Sequence, residues 1–292
     1  MKITELFERG EFVVSAEVGP PKGFHVEHLL EEAKTYLSGI TAVNVTDNQS
    51  SVMRLGSLAM CKALKDEGLT PIYQLTCRDR NRIALQSDLL SAAMFGIENL
   101  LLLTGDHTKL GDHPQAKPVF DLDSVSLIHA VTKLEEGVDL GGNELIGEPP
   151  KFAKGAVVSP CSDSVDAQLG KMERKVMAGA DYFQTQAVFE PEKFIKFMEK
   201  AKQFGKPVQV GIIIPKSAGM AKFMNNNVAG IHVPDEMIEE LKKDKEKTKA
   251  GITGVEIAAR IIKECKPYCQ GVHIMALGWE SKVPDLLKLA EI

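Results

Sequence analysis

Asn99-Leu-Leu-Leu-Leu-Thr-Gly-Asp106 decides the fold. An unbroken apolar run this short reads as a strand buried on both faces, the pattern of a parallel sheet covered by helices. It stops abruptly at Thr104-Gly105-Asp106. A buried parallel strand that ends in a small residue, a glycine and a carboxylate has the form of a β/α active site. Gly105 lets a ligand approach the backbone closely. Asp106 then stands at the mouth, where solvation is limited. An aspartate at this point also serves as a turn residue capping the next helix, so the choice between the two falls to the rest of the chain.

Seven further segments repeat the pattern. Working back from Asn99, strands are expected at Pro71–Cys77, Ala42–Asp47 and Phe12–Gly19. Working forward, they are expected at Gly155–Pro160, Tyr182–Phe189, Pro207–Ile214 and Gly271–Leu277. Between them lie stretches with apolar residues at helical spacing: His25–Leu37, Ser51–Glu67, Arg80–Phe95, Asp121–Glu136, Ser164–Met177 and a helix opened by Pro191. Helical stretches also cover Ala218–Asn225, Asp235–Lys249, Thr253–Cys265 and Val283–Ala290. The lysine- and glutamate-rich run within Asp235–Lys249 reads as a solvated face. His107–Val119 and Gly137–Pro150 are polar, glycine- and proline-containing excursions of the kind that decorate a catalytic rim. Strict strand–helix alternation implies a parallel sheet, and eight units favour closure into an α/β fold of the (β/α)8 TIM-barrel type, one domain over residues 1–292. No G-x-G-x-x-G fingerprint follows the first strand, which argues against an open dinucleotide-binding sheet.

The bulk composition narrows the function. Of the 292 residues, 44% are hydrophobic and 26% charged, ordinary for a soluble globular chain. A net charge of −5 gives no reason to expect nucleic acid or an anionic membrane surface. No apolar run approaches the ~20 residues that span a bilayer, and Met1–Arg9 lacks the apolar core of a signal peptide. Five scattered cysteines fit reduced thiols in a cytoplasm. Cys265 and Cys269, spaced C-x3-C, stand one helical turn apart and are candidates to share a metal with Cys161. Without a second pair, ordinary thiols are the expectation, and no metal site is assigned.

In a barrel of this type the strand C-termini converge on one mouth. Here they bring Glu17, Thr46, Thr76, Asp106, Ser159, Gln186, Pro215 and Leu277 together, with little positive charge beyond Lys175 and Arg78. The histidines lack metal-ligand spacing, and most are expected on loops or helix surfaces. Carboxylates at such a mouth are general acids or electrostatic partners of a polar ligand. Glu17 follows an apolar strand, so partial desolvation would favour its protonated form; a salt bridge to a barrel lysine is the other reading.

The sequence resembles the methylenetetrahydrofolate reductases, flavoenzymes built on a (β/α)8 barrel. The resemblance runs from Phe12 to Leu277. It rests on Ser15-Ala-Glu17-Val-Gly-Pro-Pro21, Asn44-Val-Thr46, Gln74-Leu-Thr-Cys77 and Leu103-Thr-Gly-Asp106. It continues through Arg174-Lys175-Val-Met-Ala-Gly-Ala180, Gln184-Thr-Gln186 and the stretch from Gly211 to Pro234, with Pro215 and an Asn-rich turn. Each motif is short, and their order on successive strand ends makes the set specific.

The resemblance implies reduction of 5,10-methylenetetrahydrofolate to 5-methyltetrahydrofolate by hydride transfer from N5 of a reduced flavin in the barrel mouth. Glu17 matches the family's general acid, which assists opening of the five-membered ring to an iminium. Asp106 matches the aspartate beside the flavin pyrimidine edge and the folate, and Gln186 the folate-binding glutamine. Thr46 and Lys175 match flavin contacts, as do Gln74, Thr104, Gly105, Ser159 and Gln168 by position. At Gln74, Thr104, Ser159 and Gln168 several relatives carry histidine, arginine, tyrosine and aspartate, so the expected cofactor is FAD with FMN as the alternative. Gly219 replaces a phenylalanine that stacks on substrate or nicotinamide. Electrons are therefore expected either from NAD(P)H or from a partner subunit, in a homo- or hetero-oligomer. Two other readings stay open: another pterin-binding barrel enzyme, and a flavin- or folate-binding subunit of an electron-transfer complex.

Overall fold

Each short apolar run pairs in parallel with the next one in the chain, and the last pairs with the first. The computed structural model describes residues 1–228, 230–247 and 252–292. In chain order the elements are α1 (Ile3–Glu8), β1 (Val13–Val18), α2 (Glu27–Leu37), β2 (Ala42–Val45), α3 (Ser57–Asp66), β3 (Pro71–Thr76), α4 (Arg82–Met94) and β4 (Asn99–Leu103). They continue with α5 (Ser124–Glu135), β5 (Ala153–Val158), α6 (Val165–Ala178), β6 (Tyr182–Ala187), α7 (Pro191–Ala201) and β7 (Val208–Ile213). The chain closes with α8 (Ala218–Asn227), α9 (Asp235–Lys247), α10 (Ile252–Cys265), β8 (Gly271–Met275) and α11 (Val283–Ala290). The strands form a closed parallel barrel in the order β1 to β8, so the expected (β/α)8 fold is the observed one. Ala229 of the Asn-rich turn and residues 248 and 249 of the charged helix lie outside the described residues.

Several helices start later than the apolar spacing suggests, and in α4 and α5 a side-chain cap sets the first turn. Asn81 accepts from the backbone N–H groups of Ile83 and Ala84 and opens α4. Asp123 accepts from Ser126 in a capping box and opens α5, two residues beyond Asp121. The stretch from Asn48 to Gly56 is loop and a single 3-10 turn, so α3 begins at Ser57 rather than Ser51.

The barrel interior is layered. At the N-terminal end Val13, Ala42, Ile72, Leu101, Ala153 and Tyr182 form an apolar floor. The floor is plugged by α1, whose Ile3 and Leu6 are buried in the same cluster. Asn99 ties the plug down: its Oδ1 accepts from the Ile3 N–H at 2.8 Å and its Nδ2 donates to the Met1 carbonyl at 3.1 Å. Gly155 is required here for space, since a Cβ would lie 2.4 Å from the Tyr182 hydroxyl and 2.6 Å from the Leu100 carbonyl oxygen. Above the floor, where barrels commonly carry branched apolar side chains, this chain has a polar layer of Ser15, Asn44, Gln184, Gln209 and His273, all buried. The main core lies outside the barrel, between the strands and the helices.

Candidate active site

Strand alternation places residues two apart on one face, so the polar layer continues upward into the mouth. Ser15 leads to Glu17, Asn44 to Thr46, Gln74 to Thr76 and Gln184 to Gln186. The mouth holds two adjoining cavities of about 420 Å³ each, within the range of small-molecule sites. One is lined by Thr46, Gln74, Thr104, Gly105, Asp106, Ser159, Gln168, Lys175 and Gln186. Nine of the ten residues singled out in the sequence therefore meet in one place. The tenth, Glu17, lines the second cavity with Arg54, Leu277 and Glu280. The two are joined by a 3.1 Å hydrogen bond from Gln74 Nε2 to Glu17 Oε1, and Gln49 lines both.

Glu17 is nearly enclosed, its side chain 11% exposed. Among the described residues no lysine pairs with it. Its Oε1 lies 3.3 Å from His273 Nε2, and its Oε2 is buried with no hydrogen-bond partner among the described residues. Thr46 Oγ1 is orphaned in the same way. Buried polar atoms without partners are uncommon and mark places where a ligand or water completes the bonding.

The other predicted residues are held by local structure. Gln186 sits in a β-bulge, since Gln184 pairs with Gln209 while Ala187 pairs with Gly211. Bulges re-aim side chains beside active sites. Thr185 stabilises this one by accepting from the Gly211 N–H and donating to the Gln186 carbonyl, both at 2.8 Å. Gln168 on α6 accepts from the Ser159 N–H at 3.3 Å. Thr104 accepts from the Ser124 N–H at 3.0 Å, so it caps α5 while lining the cavity. Gly105 has φ +91°, and a Cβ there would press on Thr76 and Arg78. This turn carries the chain outward after β4 ends at Leu103. As a result Asp106 is exposed, not shielded as its position after a buried strand suggests. Lys175 Nζ donates to the Val157 carbonyl at 2.6 Å. Burial, followed by the Lys171 ammonium, lowers Lys175 to about 8.

Three features of the site escaped the sequence reading. Asp47, buried at the end of β2, accepts from the Thr76 N–H and hydroxyl at 2.9 and 2.8 Å and from both terminal nitrogens of Arg80. Burial works against the Arg80 charge, yet Asp47 holds it above the usual arginine range. Lys171 joins Lys175 on the cavity wall. His273, expected within the eighth strand but given no role in the sequence, lies inside the barrel on β8 beside Ser15. A cue was available for His273 alone: it stands mid-strand in an apolar run. The cysteines are all buried, and burial pushes Cys161 and Cys269 up to about 11.

The model of the methylenetetrahydrofolate reductase family matches residues 2–291. The chain belongs to the methylenetetrahydrofolate reductase family. It is 27% identical to methylenetetrahydrofolate reductase 2 of Schizosaccharomyces pombe, over 99% of this chain and 47% of that one. It is also 27% identical to 5,10-methylenetetrahydrofolate reductase of Salmonella typhimurium, over 87% of this chain and 82% of the relative. The chain thus spans about half the length of the yeast reductase and most of the bacterial one. Among solved structures, an uncharacterized protein from Clostridium thermocellum, described as binding two copies of 5-methyl-5,6,7,8-tetrahydrofolic acid, superposes with a TM-score of 0.69. The two are 14% identical, over 99% of this chain and 98% of the other, a likeness of fold. Among the described residues, no helix is long and apolar enough to cross a membrane.

Proposed function

We propose that this chain reduces 5,10-methylenetetrahydrofolate to 5-methyltetrahydrofolate with a flavin bound in the mouth. The observation that carries the reading is Glu17, a nearly enclosed carboxylate on the cavity wall with one oxygen held and the other buried without a partner among the described residues. A scaffold has no use for such a group, and a general acid needs it.

The residues present fit a flavin. The cavity wall offers the orphaned Thr46 hydroxyl and the amides of Gln74 and Gln168 to a ring edge and a ribityl chain. It offers the ammonium groups of Lys171 and Lys175 to phosphate oxygens. A bound flavin supplies the two electrons of the reduction. Glu17 gives a proton to a nitrogen of the five-membered folate ring and opens it. The Asp106 carboxylate stabilises the positive charge that develops on the substrate. Gln186, aimed by its bulge, holds the pterin edge by its amide. Gly219 lies in the first turn of α8, where a side chain would find open space beyond Ser217. A nicotinamide finds no aromatic surface at that residue, which supports delivery of electrons by a partner subunit.

The test is product analysis in a single turnover. Flavin-loaded protein, reduced anaerobically and mixed with methylenetetrahydrofolate, is expected to yield one 5-methyltetrahydrofolate per flavin. Absence of that product would rule the reading out.

A further inference from the structure

Among the described residues, four buried side-chain polar atoms lack a hydrogen-bond partner: Glu17 Oε2, Thr46 Oγ1, Arg54 Nε and the Tyr73 hydroxyl. Tyr73 belongs to the core outside the barrel. The other three residues line the mouth, and Arg54 shares the second cavity with Glu17. Local structure fixes Arg54. Its backbone N–H donates to Asn48 Oδ1 at 2.9 Å, and the next N–H, that of Leu55, donates to the Pro21 carbonyl at 2.9 Å. Its Nη1 donates to the Pro20 carbonyl at 3.2 Å. The other edge of the guanidinium, Nε with Nη2, has no partner among the described residues. That edge presents two parallel N–H groups on a permanent positive charge, the fork that binds a carboxylate through both oxygens.

We propose that Arg54 anchors the acidic tail of the folate substrate, its Nε–Nη2 edge pairing with a carboxylate of the glutamate that ends the aminobenzoyl chain. On the reductase reading, Glu17 protonates a nitrogen of the five-membered ring, and one of the two nitrogens in that ring carries this chain. Gln186 and the flavin-binding wall take up the first cavity, so the chain leaves past Glu17 into the second. There Val18, Leu29, Ala33 and Leu277 offer apolar surface to the aromatic ring, and Arg54 supplies the cation. The carboxylates on the same wall do not pair with it. Glu17 Oε1 is engaged by Gln74 and His273, Glu32 lies 3.4 Å from His28, and Glu280 accepts the Gly278 N–H at 3.2 Å. The free edge of Arg54 is thus left to a ligand, and discrimination for the tail is its role.

The inference rests on the folate reductase reading, and the experiment separates the two. Equilibrium binding to the flavin-loaded full chain is measured with 5-methyltetrahydrofolate and with 5-methyltetrahydropteroate, which lacks the glutamate. The parent protein should bind the folate at least about tenfold more tightly. Binding of the two compounds within about twofold of each other would overturn the anchor without recourse to a variant. Arg54→Met keeps an aliphatic stem and loses the fork. It should weaken the folate about tenfold and leave the pteroate within about twofold. Arg54→Lys, which keeps the charge alone, should fall between. Equal weakening of both compounds in Arg54→Met, at the melting temperature of the parent protein, would overturn the anchor in favour of a purely structural role. A parent protein that prefers the folate, yet when reduced forms no 5-methyltetrahydrofolate from methylenetetrahydrofolate, would refute the reductase reading and leave the anchor standing.

Discussion

Raising the pH from 7 to 9 should weaken flavin binding through Lys175. Burial and the adjacent Lys171 ammonium bring Lys175 down to about 8, so its charge is lost across this interval. The FMN phosphate is already close to doubly charged above pH 7 and the FAD pyrophosphate has no ionisation in this range, so the ligand's own titration adds little. If the phosphate pairs with the ammonium form, the apparent Kd grows as 1 + 10^(pH − pKa). That is about twofold at pH 8 and about tenfold at pH 9, or about 1.4 kcal/mol. Lys175→Met keeps an aliphatic stem in the same space and removes the charge. It should bind flavin more weakly at pH 7 and show little of the pH dependence. Lys171→Gln removes the second cause of the shift and should move the inflection to higher pH. The assay is equilibrium titration of flavin-free protein with FMN and FAD, followed by fluorescence across this pH range. The same slope in the parent protein and in Lys175→Met would refute the assignment of Lys175 to the phosphate.

Three other perturbations test separate parts of the structure. Asp106→Asn should slow folate reduction and shift the flavin absorbance, and unchanged kinetics with an unchanged spectrum would remove Asp106 from the flavin's neighbourhood. Asp47→Asn replaces an acceptor of the buried Arg80 pair with an amide. It should cost about 3 kcal/mol and lower Tm by about 5 °C; a loss below about 0.5 kcal/mol in urea unfolding would deny Asp47 its role. Gly155→Ala forces a methyl against the Tyr182 ring at 2.3 Å and should cost about 2–3 kcal/mol. A melting curve matching that of the parent protein would show that the barrel floor yields easily.

The barrel was legible because its strands are short apolar runs separated by helical periodicity, as at Leu100–Leu103. The mouth was legible because strand ends in a closed parallel barrel must converge, which brings Thr46, Asp106 and Gln186 together without knowledge of any contact. Long-range pairing was not legible. Ser15 and His273 are 258 residues apart, and only the closure of β1 onto β8 makes them partners. Asp47 reads as one polar residue among several after β2, and its burial depends on Arg80 folding back from beyond β3. The plug α1 is a single short helix ahead of the first strand, with too few turns to show a period. Asp106 reads as shielded because it follows four leucines, but the positive φ of Gly105 turns the chain out of the strand before it.

The central claim is that Glu17 delivers the proton that lets methylenetetrahydrofolate accept electrons from a flavin in this mouth. Anaerobic absorbance measures it directly, by following return of the oxidised flavin band when pre-reduced protein meets methylenetetrahydrofolate. The parent protein should regain the band, and Glu17→Gln should do so at least about a hundredfold more slowly, with the same flavin content and melting temperature. A Glu17→Gln protein that reoxidises at the parent rate would contradict the account.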